Sequence, residues 1–196
     1  MTPRLILASS SKYRHELLAR LKIPFFSVSP DVDETPFPDE PPKQLASRLA
    51  LAKAQHIAQA YPTHVVIGAD QAASIHGQPL GKPGHAAAAH DQLRQLSGQT
   101  VTFFSAMAVV RGSQVQSVVV PTHCTFRTLS DAAITRYIAI DQPFDTAGSA
   151  KAECLGIALM QSMHSSDPTS IVGLPLIELT RMLAQVGLDP LEDTSP

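Results

Sequence analysis

The chain opens on four apolar residues, Leu5 to Ala8 in "LILASSSKYRHELL", that stop at three serines. So short and bounded a run predicts a buried strand. From Lys12 the period changes, and Tyr13, Leu17, Leu18 and Leu21 recur at helical spacing. "FFSV" from Phe25 predicts a second strand. Residues 24–42 then hold six prolines and an acidic cluster at Asp31, Asp33 and Glu34. That is loop chemistry, because proline lacks an N–H and restricts its neighbour. Pro41 and Pro42 can open a helix, where a missing N–H costs little. The helix follows in "KQLASRLALAKAQHIAQAY", with Leu45, Leu49, Ala52, His56 and Ile57 near one stripe. "HVVIGAD" is the strongest strand pattern, ending at Gly68, Ala69 and Asp70.

Beyond it, "SIHGQPLGKPG" predicts a turn and return, and "HAAAAHDQLRQLS" a helix stopped near Gly98. "VTFFSAMAVV", the turn "RGSQ" and "VQSVVVPTHCTFRTL" predict a long hairpin rich in β-branched residues. Ser130 is a good N-cap for "DAAITRYIAI". The loop "DQPFDTAGSAKAEC" leads to the apolar run "GIALM". A last helix starts near Gly173 to Pro175 and runs through "LIELTRMLAQV", and the tail after Leu188 is expected to be loose. Neither a repeat nor a linker interrupts the pattern, so residues 1–196 read as one domain. Alternating strands and helices followed by an antiparallel segment predict a mixed α/β fold: a mixed central sheet with flanking helices, in two lobes around a cleft.

Charge narrows the partners. Fifteen basic residues against 17 acidic give a net charge of −2, which argues against a nucleic-acid polymer held on a broad basic surface. A small nucleotide held by a few local cations stays open, as does a homodimer. The two cysteines, Cys124 and Cys154, form neither a disulfide framework nor a zinc spacing, so a cytoplasmic location is expected. The first apolar run is too short for a signal-peptide core, and none is long enough for a membrane span.

Four junctions carry unusual polarity. At residues 9–14, Ser9, Ser10, Ser11 and Arg14 stand where a strand hands over to a helix. Serines cap helices, yet a helix N-terminus also suits a phosphate. Asp33 and Glu34 form a solvated acidic loop or hold Mg²⁺, which takes one or two carboxylates plus substrate phosphates. Asp70, directly after a buried strand, closes a turn or serves as a general base or metal ligand. In "PLGKPG", Gly81 and Pro83 fix the backbone around Lys82, which is either an exposed turn lysine or a cation aimed at an anion. Lys53 is a lone cation on an alanine-rich helix. No histidine sits in a known nucleophile context, and neither H-E-x-x-H nor a Walker-type phosphate loop occurs. Cations plus two acidic sites fit metal-assisted hydrolysis of a phosphoanhydride.

The segments "LILASSSKYRHELL", "VDETP", "LALAKAQ", "VIGADQ", "GKP", "LSGQTVTFFSA", "AGSAKAECLGI" and "IVGLPLIEL" together resemble the Maf family of nucleoside triphosphate pyrophosphatases, in family order from Leu5 to about Leu188. The resemblance implies a long central sheet, two lobes and a cleft, as in inosine-triphosphatase-like folds. It implies cleavage of a nucleotide between its α and β phosphates, with a divalent cation, Mg²⁺ or Mn²⁺. Residue by residue, it makes Asp70 the general base or a metal ligand beside Glu34. It assigns Ser9, Arg14, Lys53 and Lys82 to the triphosphate, and Tyr13, Gln71 and Glu153 to the base. Gln71 in "ADQ" and Glu153 in "GSAKAEC" resemble the subgroup acting on 7-methyl-GTP rather than the dTTP/UTP subgroup. A carboxylate can accept both N1–H and N2–H of guanine, and a cationic methylated base favours a carboxylate and an aromatic face. Tyr13 stands where that subgroup often has tryptophan, and Ala150 and Cys154 also depart from its pattern. The alternatives are a dTTP/UTP pyrophosphatase, inosine-triphosphate chemistry on a similar fold, or a non-catalytic nucleotide-binding regulator of cell division.

Overall fold

The computed structural model describes residues 5–192. Strand β1 is Leu5–Ala8 and helix α1 is Lys12–Ala19, capped by the Ser11 hydroxyl, which accepts from the Arg14 N–H. Strand β2 is Phe25–Val28, and the proline-rich loop leads into α2, Pro42–Ala60. The strand pattern at "HVVIGAD" becomes β3, which runs Val65–Ile75. It therefore does not end at Asp70. The strand continues because its far half pairs on one edge with β5, Thr100–Arg111, and on the other with β4, Gln78–Leu80. The β3–β4 turn is His76-Gly77, both at positive φ, as a two-residue hairpin requires.

The rest follows the expected order: α3 at Ala86–Leu96, β6 at Gln114–Phe126, α4 at Asp131–Asp141 and α5 at Leu176–Gln185. "GIALM" is a short 3-10 turn, Leu155–Leu159, leading into β7, Met160–Ser165. The half-exposed residues of β7 carry no apolar alternation to announce a strand. Asp189 turns the tail back through the Leu191 N–H, and residues 193–196 lie outside the described residues.

Among the described residues, seven strands form one sheet, ordered β2-β1-β3-β5-β6-β7 with β4 on β3. β1 is parallel to both β2 and β3, and the remaining pairs are antiparallel. One face of the first lobe packs Leu5, Leu7, Val65 and Ile67 against α1 and α5. The other packs Ile6, Ala8 and Val66 against Ala54 and Ile57 of α2. A separate core joins α3 and α4 to the far ends of β5 and β6, through Leu93, Phe103, Phe126 and Ile134. The buried face of α2 runs through Ala46, Leu49, Ala50, Lys53, Ala54 and Ile57; His56, expected on that stripe, is exposed. Among the described residues, no helix is long and apolar enough to cross a membrane.

The register leaves a gap. β1 pairs with β3 as far as Gly68, and β4 takes the same edge from Ala73, because β5 holds the opposite edge throughout. Residues 69–72 are left without a strand neighbour on that side. At the near end of this gap α2 presses unusually close. A Cβ on Gly68 would lie 2.2 Å from the Ala50 carbonyl oxygen and 2.5 Å from the Ala54 nitrogen. Only glycine permits that approach, and the colliding atoms are backbone that cannot rotate away.

Gly68→Ala is therefore expected to push α2 off the sheet. Overpacking commonly costs ~1–3 kcal/mol, and a backbone collision belongs at the upper end. A clear fall in the thermal unfolding midpoint checks this; an unchanged midpoint would contradict the contact.

Candidate active site

The gap in β3 opens into a cleft of about 920 Å³ between the lobes. Ser9, Tyr13, Arg14, Glu34, Lys53, Asp70, Gln71, Lys82 and Glu153 all line it. Side-chain alternation sends Asp70 and Gln71 to opposite faces of β3. Both reach the cleft because it wraps around the free edge between them.

At the centre is Lys53, only 7% exposed. Its Nζ lies 2.6 Å from Asp70 Oδ1 and 2.5 Å from Glu34 Oε1. Asp70 follows Gly68 by two residues, so the close helix approach at Gly68 delivers Lys53 to Asp70. Burial raises the Asp70 carboxyl above its ordinary range, and nearby Glu34 adds to this, while Lys53 and Arg14 oppose it. Glu34, more exposed, is held below the ordinary range by its hydrogen bond to Lys53. One ammonium thus serves two carboxylates in different surroundings. Asp70 is the more basic of the two because it is the more buried.

One end of the cleft is the β1–α1 junction. The Ser11 N–H donates to Ser9 Oγ at 3.2 Å, and the first turn of α1 carries no acidic side chain, leaving its positive end uncompensated. Arg14 is anchored through Nε to the Gly173 carbonyl at 3.0 Å. Burial lowers its affinity for its proton, and the fields of Asp70 and Glu34 restore part of it. Lys82 is exposed on the opposite wall, on a loop fixed by Gln92 Nε2 donating to the Gly81 carbonyl at 3.1 Å.

At the other end stand Tyr13 and Glu153. Burial raises the Tyr13 hydroxyl, and neighbouring Cys154 and Glu153 raise it further. Lys12 Nζ lies 4.8 Å from the Tyr13 ring centroid, so a cation already rests over the ring. Glu153 is exposed at the rim, yet desolvation by the surrounding protein lifts its carboxyl above the ordinary range. Gln71 donates from Nε2 to Ser105 Oγ (2.8 Å), the Ile171 carbonyl (2.9 Å) and the Ser170 carbonyl (3.2 Å). Its amide nitrogen is thus committed to the protein, which leaves the carbonyl oxygen for a ligand.

Further residues, beyond the sequence-predicted ones, line the cleft or brace its wall. Lys151 lies 3.1 Å from Asp145 through its Nζ, and both line the cleft with Thr146 and Phe103. Buried Asp167 accepts from the Ile177 N–H at 2.6 Å and from the Thr169 hydroxyl at 2.7 Å, organising the segment that holds Gln71 and Arg14. An Asp-Pro-Thr-Ser cluster ahead of a helix was the available signal. Both cysteines are free: Cys154 is exposed, and burial pushes the Cys124 thiol up to about 12. Among the described residues no group of three or more histidine, cysteine or acidic side chains is arranged to hold a metal, so Glu34 and Asp70 stand as a pair.

The chain as a whole has counterparts among known proteins. A profile described as Maf-like protein matches residues 4–186. A 7-methyl-GTP pyrophosphatase of Bordetella pertussis is 60% identical over 189 residues, covering 96% of this chain and 95% of that protein. Similarly named proteins of Bordetella avium and a Polaromonas species are 58% and 52% identical, over 98% and 94% of this chain and 98% and 85% of theirs. Among solved structures, the Ham1 proteins of Coxiella burnetii and Staphylococcus aureus share the fold. Their TM-scores are 0.56 and 0.54 at 16% and 13% identity, over 94% of this chain and 100% and 99% of theirs. With the profile spanning nearly the whole chain and relatives above half identity over almost its full length, this protein belongs to the Maf-like family.

Proposed function

We propose that this protein hydrolyses 7-methyl-GTP to 7-methyl-GMP and pyrophosphate in the cytoplasm. The observation that carries the reading is Glu153: a carboxylate at one end of the cleft whose centre holds Lys53 between Asp70 and Glu34. Relatives named 7-methyl-GTP pyrophosphatase, more than half identical over nearly the full chain, support it. A cationic base and a polyanionic triphosphate suit a cleft in which Arg14 and Lys82 line one part, and Glu153 and Asp145, with Lys12 and Lys151 beside them, line another. Two free cysteines fit a reducing compartment.

In this reading Arg14, Lys82, Ser9 and the first N–H groups of α1 bind the triphosphate. They hold the pyrophosphate as its charge develops. Asp70 accepts the proton of a water whose oxygen attacks the α phosphorus. The bond from that phosphorus to the bridging oxygen breaks, and pyrophosphate leaves with the oxygen. Burial suits Asp70 to this, since a carboxyl raised above its ordinary range is a stronger base at neutral pH. Lys53 keeps the site from becoming two unpaired acids. Glu34 and Asp70 suit Mg²⁺ or Mn²⁺, which take one or two carboxylates plus phosphate oxygens; such an ion would neutralise phosphate charge. Glu153 accepts the guanine N1–H and N2–H, the Gln71 carbonyl adds a polar contact, and Tyr13 stacks on the base once Lys12 yields the ring.

The deciding experiment is pyrophosphate release from 7-methyl-GTP, dTTP, UTP and ITP by the wild type beside Glu153→Gln. The wild type should prefer 7-methyl-GTP. Glu153→Gln should lower kcat/KM for it by about 10- to 100-fold, the ~1.5–3 kcal/mol of hydrogen bonds to a charged group. The carboxyl is raised, so acidification protonates it sooner than an ordinary glutamate. The wild-type KM should therefore climb on the acid side from a pH above the ordinary glutamate range, and Glu153→Gln should lose that climb. A preference for dTTP or UTP would return the protein to the pyrimidine alternative.

Asp70→Asn keeps the shape and removes the base, so kcat should fall by ~10²–10⁴-fold with the fold intact by circular dichroism. Chelation should abolish turnover, and Mg²⁺ or Mn²⁺ should restore it; full activity in excess EDTA would remove the metal from the reading.

A further inference from the structure

Residues 29–41 form a loop with no strand or helix of its own, and most of its side chains are exposed. Yet this loop supplies Glu34, which must meet the Lys53 ammonium at 2.5 Å. Ordering each residue of such a segment costs ~1–2 kcal/mol of backbone entropy. Prolines at 30, 36, 38 and 41 reduce that cost, but stiffness alone does not aim the segment.

Aim comes from one side chain on α2. Arg48 binds both oxygens of Glu40 as a fork, Nε to Oε1 at 2.7 Å and Nη2 to Oε2 at 2.7 Å. The same Nη2 donates to the Thr35 carbonyl at 3.1 Å, one residue past Glu34. Its guanidinium also lies 4.0 Å from the Phe37 ring centroid. Glu40 in turn accepts from the Phe37 N–H at 3.0 Å, and its side chain is only 6% exposed. The loop is thereby tied at Thr35, Phe37 and Glu40 to the helix that carries Lys53.

We propose that Arg48 is a positioning residue that acts through Glu34: by tying residues 35–40 to α2, it holds the Glu34 carboxylate on Lys53 beside Asp70. This rests on the reading of Glu34 as part of the catalytic site. An exposed ion pair would contribute little, but a bidentate, partly buried fork with a third contact fixes geometry that a lysine cannot reproduce.

A double-mutant cycle tests it, with kcat and KM for 7-methyl-GTP measured for Arg48→Gln, Glu34→Gln and the pair. Arg48→Gln should lower kcat/KM by about 10- to 100-fold, the usual range for residues that orient a ligating side chain. In the Glu34→Gln background, Arg48→Gln should cost no further activity. Arg48→Lys should restore less than half of the lost activity, because it keeps the charge without the fork. Equal losses in both backgrounds would overturn the proposal, since a merely structural role lowers activity whether or not Glu34 is present. A second readout is independent of substrate: hydrogen exchange at the Thr35 and Phe37 amides should quicken at least 10-fold in Arg48→Gln, with the α2 amides protected. Unchanged exchange there would also overturn it. A wild type inactive on 7-methyl-GTP would defeat the substrate reading alone, and the exchange measurement would still decide the role of Arg48.

Discussion

A lysine ammonium taken almost wholly out of water governs this molecule. Burying an ion costs several kcal/mol unless its partners are well placed, and Lys53 meets that cost with Asp70 and Glu34 at hydrogen-bonding distance. Neither partner lies near it in sequence. Asp70 arrives because α2 packs on β3 at van der Waals contact of backbone, which only Gly68 allows. Glu34 arrives because its loop is tied to the same helix. The alanines around Lys53 on α2 are part of the same solution: Ala46, Ala50 and Ala54 keep the helix close enough for a lysine stem to reach the strand's far edge.

The sheet supplies the second condition. Had β1 continued past Ala8, its backbone would fill the edge of β3 opposite residues 69–72, and no cleft would exist there. Instead β1 stops, and the chain turns through three serines into α1. That turn sets helix N–H groups beside the open edge. One event, the end of a strand, thus creates both the vacancy and the anion-favouring wall that borders it. The second lobe closes the other end: β4 resumes pairing at Ala73, and the loop after it carries Lys82 across from Arg14.

How far this was legible in the sequence depended on whether the signal was local. Periodicity and capping signals located β1, α1, α2, the long hairpin, α4 and α5, because each buries its own pattern. The end of β3 was misjudged at Asp70 because a charged residue reads as leaving the core. The strand continues because β5 and β4 pair its far half, and Lys53, seventeen residues upstream, pairs the charge within it. Lys53 carries no local sign of burial because both its partners are distant in sequence, and His56, placed near the apolar stripe, lies just off the buried face. β7 escaped notice because its half-exposed residues lack the alternation that marks a strand. The nine candidate residues were recognised by motif, and the fold brings them into one cleft. Arg48, Lys151 and Asp167 were missed because they act on other protein groups, and no local pattern marks a residue whose partner is distant.

The electrostatic arrangement gives the cleft a direction. Arg14 and Lys82 face one end; Glu153 and Asp145 face the other, where Lys151 and Lys12 offset their charge. A ligand that is anionic throughout gains at the first end and meets no net attraction at the second. One with a cationic base and an anionic tail gains at both, in one orientation only. The same reasoning explains why the centre is nearly balanced rather than strongly positive. Two carboxylates on one ammonium offset its charge, and burial leaves the Asp70 oxygen the more basic of the pair. The centre and the rim are thus separate: Lys53, Asp70 and Glu34 are locked together where α2 meets β3 at Gly68, while Glu153 stands exposed at the rim.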